Sequence, residues 1–247
     1  MKKTLLMTTL ALFSTVSFAS TQTFGDGWTI TTTETKLNQR LPFSGSVDAG
    51  TGSGETPLPT EPVPTRTIGE RAEDAGKVIT AARDIVALGE EIYKLVIKGK
   101  PTNTTEYAPV SVVPKIPGTA DYVDPFDLEN FSMPIEKKFS SVIKNSSGAQ
   151  VVRFEYMVIF SYGGSYNGAG KYITGAEIVP IKVDTSYGWD FNATMKLGGI
   201  MNNGTRENPV AGLNLVIKYQ MNSWSKSFER NDMIYINGNG DIKNYSR

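Results

Sequence analysis

Side chains able to do covalent or metal chemistry are scarce in this chain. Among its 247 residues there is no histidine and no cysteine. The commonest general base and the commonest metal ligand are therefore missing. Ser-His-Asp and Cys-His catalysis are excluded, as are zinc sites of the ordinary type. What remains is chemistry by carboxylates, lysine, tyrosine or Ser-Lys pairs. Two carboxylates facing each other across a cleft would suit glycoside hydrolysis. Glu155, Glu177, Asp184 and Asp190 lie on or beside expected strands, yet no spacing singles out a pair. Outward-facing strand charges account for them.

Residues suited to binding are easier to find. Ser161-Tyr-Gly-Gly-Ser-Tyr-Asn-Gly-Ala-Gly170 has the glycine content of a phosphate loop but fits neither template. A Walker loop would have Gly where Ser165 stands and Ser or Thr where Tyr172 stands; a dinucleotide fingerprint would have Gly in place of Ile173. The stretch reads as a strand-to-strand loop, with Tyr162 and Tyr166 as candidate ligand contacts on a Gly/Asn/Ser scaffold. Trp224, in the polar run Asn222-Ser-Trp-Ser-Lys226, is a third candidate. Its ring could stack on a sugar or sit at a lipid interface, or cap a corner of the fold. Asp121, Asp124 and Asp127, with Glu129, form an acidic cluster in a proline-containing loop that could hold calcium weakly. A solvated acidic turn is the simpler reading, and no cofactor or metal site is expected. Asn237-Gly-Asn-Gly-Asp241 alternates oxygen ligands as a calcium loop does, but Ile242 takes the place of the required glycine, so a tight turn is expected. The Asn-x-Ser/Thr triplets at Asn103, Asn145 and Asn203 signal glycosylation only in a eukaryotic secretory route.

The elements that must position these residues are announced by an export signal. Lys2 and Lys3 precede an apolar run from Leu5 to Phe18, and Ser17-Phe18-Ala19 offers small residues where a signal peptidase reads. Residues 1–19 read as a secretory signal peptide cleaved after Ala19. The mature chain is thus expected to be secreted or periplasmic. With no cysteine it would be held by its core alone. Lys+Arg and Asp+Glu are equal at 25 each, so no footprint for nucleic acid appears.

Residues 20–44 form an extended N-terminal segment, in which the β-branched run from Trp28 predicts a strand that joins the C-terminal sheet. Residues 45–66, rich in Gly and Ser and then in Pro, read as a linker. Residues 67–99 read as a long amphipathic α-helix. Thr67 and Glu70 make a capping box, and Glu73 with Lys77 and Glu90 with Lys94 are i,i+4 pairs. Gly99 and Pro101 supply the stop. Val78, Ile85, Leu88, Ile92 and Leu95 fit heptad core positions and form its interaction face. So apolar a helix needs a second partner, which could be a loop, another subunit by self-association, or lipid. Residues 100–135, with six prolines, read as a connection holding short edge strands such as 110–113.

Residues 136–247 read as an antiparallel β-sandwich. The sets 152–160, 179–183, 187–197, 211–221 and 233–236 alternate apolar and polar residues. Turns are expected at Gly163-Gly164, Asn203-Gly204 and Asn237-Gly238. The fold expected is mainly β: a C-terminal sandwich preceded by one long helix and proline-rich connections.

Three functions follow from this layout. The first is a secreted, non-enzymatic protein that binds a protein or glycan through sandwich loops carrying Tyr162, Tyr166 and Trp224. The second is a membrane-active protein using the 67–99 helix. A long apolar helix joined to a β-sandwich resembles the arrangement of actinoporin-type pore formers, although no motif is shared. The mixed charges of the helix's polar stripe argue against membrane contact. The third is a carboxylate-based hydrolase of extracellular glycans.

Overall fold

The computed structural model describes residues 17–24, 27–36 and 78–246. Most of the expected signal peptide, the 45–66 linker and the Thr67/Glu70 capping box lie outside the described residues. Fourteen strands run through the described part: β1 (Ser17–Phe24), β2 (Trp28–Lys36), β3 (Val78–Ala81), β4 (Ile85–Leu88), β5 (Ile92–Ile97), β6 (Lys100–Pro101), β7 (Val110–Pro114), β8 (Ile135–Lys144), β9 (Gln150–Tyr166), β10 (Ala169–Thr185), β11 (Trp189–Asn202), β12 (Ala211–Ser223), β13 (Ser227–Asn237) and β14 (Ile242–Ser246). They form two antiparallel sheets, ordered β1-β2-β8-β9-β10-β7-β4-β3 and β14-β13-β12-β11-β5-β6.

The strictly alternating segments fold as their pattern demands. Val152, Phe154, Tyr156, Val158 and Phe160 on β9 are all buried. So are Phe191, Ala193, Met195 and Leu197 on β11, and Ala211, Leu213, Leu215, Ile217, Tyr219 and Met221 on β12. These inward faces meet across the gap between the sheets. The Phe154 ring lies 5.5 Å from Phe191 and 6.0 Å from Tyr219, centroid to centroid. Tyr93 also spans the gap: from β5 it accepts a 2.8 Å hydrogen bond from the Ile178 N–H on β10.

The expected 67–99 helix is corrected by the structure. No α-helix forms among the described residues, and residues 78–97 make β3, β4 and β5 instead. Ile85, Leu88 and Leu95 are buried, but Val78 and Ile92 are exposed, so these five residues share no interaction face. The physical reason lies in residue type and in one glycine. Short apolar runs satisfy helix and strand spacing equally, and Val78, Ile85, Val86, Ile92, Val96 and Ile97 are β-branched, which favours strands. Gly89 has φ +126°, and a Cβ there would stand 2.6 Å from the Pro109 carbonyl oxygen. No helix passes through that backbone. Gly99 does have the positive φ expected of a stop, but with Lys98 (φ 47°) it closes the β5–β6 hairpin.

Other expectations are revised on similar grounds. The 110–113 segment is no edge strand: β7 lies between β10 and β4 and is buried throughout. Gly163-Gly164 is not a turn but part of β9, where the Phe131 ring occupies the space a Gly164 side chain would need. The chain turns at Asn167-Gly168, both with positive φ, as a two-residue hairpin requires. Val179, Ile181 and Val183 do not share a buried face. Register shifts at 174–177 and 180–182 re-aim the strand, so Ile178 is buried while Ile181 is exposed.

The strand at Trp28 joins the sandwich as expected. β2 pairs with β8 from Thr29↔Lys144 to Lys36↔Lys137. Trp28 packs on Trp189 and Phe228 of the other sheet at 5.2 and 4.6 Å. Glu34 forms an ion pair with the buried Lys137, and Thr32 shares a hydrogen bond with Ser141.

Candidate functional site

The two ends of the sandwich differ, and the candidate residues divide between them. At one end the β9–β10 hairpin tip meets the β3–β4 turn, the segment after β7 and the β11–β12 loop. Together they enclose an open cleft of about 420 Å³, within the usual range for ligand sites. Arg83 and Asp84 come from the first turn, Lys115 to Thr119 from the second segment, and Arg206, Glu207 and Pro209 from the third. Tyr166, Asn167 and Ala169 come from the hairpin tip, and Tyr172 stands below them.

Each wall is held by short-range chemistry. Asn202 Oδ1 accepts hydrogen bonds from the backbone of Gly204 (2.8 Å) and Val210 (2.9 Å), closing the loop that carries Arg206 and Glu207. Thr205 Oγ1 accepts from the Asn208 N–H at 3.0 Å. That loop is tied to the hairpin in turn: the Gly170 N–H donates to Asn208 Oδ1 (2.8 Å) and the Lys171 N–H to the Pro209 carbonyl (2.8 Å). The Lys115 N–H donates to the Asp84 carbonyl at 3.0 Å, joining the remaining two walls. The cleft is therefore preformed rather than assembled by a ligand.

Its electrostatics are mixed. Three cations (Arg83, Lys115, Arg206) and two carboxylates (Asp84, Glu207) line it. Burial, helped by the charge of Asp84, pushes the Tyr172 phenol up, so it remains a neutral hydroxyl. The Glu207 carboxyl is held below the usual range by its own backbone N–H, then by the Thr205 hydroxyl and by Arg206. It is a fixed negative charge at neutral pH. Planar guanidinium, carboxylate and phenol groups around a tyrosine face can grip a chain of hydroxyls.

The three sequence-derived binding residues do not converge. Tyr166 lines the cleft. Tyr162 faces elsewhere, against Phe160 and over Gly240. Trp224 lies on the β12–β13 turn, about 40 Å away along β12. The four strand carboxylates also lie outside the cleft lining. Glu155 pairs with Lys138 at 2.7 Å, and Asp184 with Lys182 at 2.9 Å. Burial raises the Glu177 carboxyl. The acidic cluster does not gather around a cation: no group of three or more metal-ligating side chains forms among the described residues. Asp124 instead caps a 3-10 turn by accepting from the Phe126 N–H at 2.9 Å. Asn237–Asp241 is a tight turn, in which Asn237 Oδ1 accepts from the N–H groups of Asn239 and Asp241, both at 3.0 Å.

Sequence reasoning missed Arg83, Asp84, Arg206 and Glu207, which come together from segments more than a hundred residues apart. It also missed Tyr187, read there as part of a strand. Tyr187 stands fully exposed in the β10–β11 turn. The signal for that turn was Ser186-Tyr187-Gly188, with Gly188 at φ +82°. No protein-family model, curated protein or solved structure matches the chain.

Proposed function

We propose that this is an exported, non-enzymatic binding protein whose end cleft takes a segment of an extracellular glycan. The observation carrying the reading is the cleft itself: one exposed tyrosine ring, a neutral buried phenol and five charged groups, fixed by a hydrogen-bonded frame. A saccharide offers hydroxyls for the charged groups and a ring face for Tyr166. Export is supported by the basic start, the apolar run and the small residues ending at Ala19. The test is a glycan array followed by titration of the best ligand against Tyr166→Ala and Arg206→Ala. Each substitution is expected to weaken binding about tenfold or more. Unchanged affinity in both variants, or no glycan bound at all, would remove the proposal.

Hydrolysis is the second reading, because Asp84 and Glu207 line one cleft. The depressed carboxyl of Glu207 suits a base or nucleophile, and Asp84 supplies the second carboxylate of the cleft. Release of reducing ends that disappears in Asp84→Asn and Glu207→Gln would establish it in place of simple binding.

A further inference from the structure

We infer that the end opposite the cleft is a contact surface for an anionic lipid bilayer, with Tyr187 and Trp224 as its interfacial anchors. The two rings are nearly as exposed as side chains can be: Trp224 at 95 % and Tyr187 at full exposure. They stand on neighbouring turns, since Trp189 at the start of β11 lies opposite Ser223 at the end of β12. Large aromatics left wholly in water contribute nothing to the core. Paired on neighbouring turns, they have the form of a membrane-interface anchor, with an apolar ring and a polar N–H or O–H at its rim.

Both turns that carry the rings are braced at their backbones. The Ser186 N–H donates to the Val151 carbonyl at 2.8 Å and its hydroxyl to the Gln150 carbonyl at 2.9 Å. The Ser223 N–H donates to the Lys226 carbonyl at 2.7 Å, and the Lys226 N–H returns a 3.0 Å bond to Ser223 Oγ. Beneath the turns, the Trp28, Trp189 and Phe228 rings form a solid base.

Charge selects the partner. Lys98, Lys100, Lys144 and Lys226 are exposed at this end. Among the described residues its acids are Asp184 and Glu229, which are paired with Lys182 and Lys218, and Asp190. Lysines can lay their stems beside the rings while the amines reach lipid phosphates. Aromatic anchors plus a cationic surround match the headgroup region of a negatively charged leaflet. The cleft lies at the far end, so a bound protein would present it away from the bilayer.

The test uses the mature chain, residues 20–247, with phosphatidylcholine vesicles and with vesicles containing phosphatidylglycerol. Co-sedimentation with the anionic vesicles is expected, weakening as salt is raised. The pair Tyr187→Ser and Trp224→Ser is expected to lower vesicle affinity about tenfold or more. Far-ultraviolet dichroism and the unfolding midpoint should match the parent, because neither ring supports the core. Lys98→Glu with Lys226→Glu should abolish the preference for anionic lipid, while Arg206→Ala in the cleft should leave vesicle binding intact. Tryptophan emission gives an independent readout. Vesicles should shift it to the blue in the parent and not in Trp224→Phe, because Trp28 and Trp189 already lie in the ring cluster. No binding to anionic vesicles, or equal binding by the double serine variant, would overturn the inference.

Discussion

The two ends of the sandwich share every long strand, yet they differ in charge, shape and packing. The connections at the cleft end carry seven acids (Asp84, Asp121, Asp124, Asp127, Glu129, Glu207, Asp241) against three cations (Arg83, Lys115, Arg206) among the described residues. The opposite end exposes Lys98, Lys100, Lys144 and Lys226. Because Lys+Arg and Asp+Glu balance at 25 each over the chain, composition conceals this polarity. The most crowded turn glycines also lie at the cleft end, although Gly118 and Gly168 there are open. A Cβ on Gly238 would run into the Lys171 carbonyl, and one on Gly240 would stand 2.8 Å from the Tyr162 ring. At the lysine end, a Cβ on Gly148 or Gly188 would meet nothing within 4 Å.

The largest expected effect tests whether the two ends are one cooperative unit. Phe154 sits between the sheets with Phe191 and Tyr219 around it. Phe154→Ala is expected to cost about 3–5 kcal/mol in urea unfolding. The buried-state emission of Trp28 and Trp189 and cleft binding should be lost at the same urea concentration in the variant. Separate transitions would show two independently stable halves and break the comparison at its base.

A pair of glycine substitutions measures the packing contrast directly. Gly238→Ala forces a methyl group onto the Lys171 carbonyl and should destabilise by about 2 kcal/mol or more. Gly188→Ala meets only the backbone strain of its φ of +82° and should cost about 1 kcal/mol. Equal losses in thermal unfolding would mean that the two turns are equally constrained.

The smallest effect concerns a group belonging to neither end. Burial raises the Glu177 carboxyl midway along β10. The fold therefore favours its protonated form. That contribution to stability is present at pH below the ordinary carboxylate value and is lost as pH rises through it toward the raised value. Glu177→Gln is neutral at every pH, so it should unfold at slightly higher urea than the parent near neutrality. The advantage should vanish below about pH 4. An advantage that persists in acid would point to packing rather than charge.

The sandwich was legible wherever one face of a strand is buried and the other wet, as on β9, β11 and β12, because a period of two admits one register. The segment 78–97 was not legible by the same means. Ile85 to Leu88 are buried on both faces of β4, and a run without alternation fits helix and strand alike. Gly89 was the decisive residue, but the close approach of Pro109 that leaves no room for a Cβ there is a contact no local reading supplies. At the hairpin tip, Asn167-Gly168 carried the stronger turn signal than Gly163-Gly164. Of the cleft, Tyr166 alone was legible, because its glycine-rich setting is local. Arg83 and Arg206 become neighbours only through the pairing of distant strands.

The first hairpin turns a spatial fact into one of timing. Ala19 lies opposite Thr33 in the β1–β2 ladder. A peptidase cutting after Ala19 needs that stretch of backbone for its own active site, and the ladder denies it once the hairpin has closed. On the proposed export reading, cleavage at this bond would have to precede the docking of β1, and Ser20 to Phe24 would remain to complete the sheet edge. A chain that folded first would then keep its proposed leader.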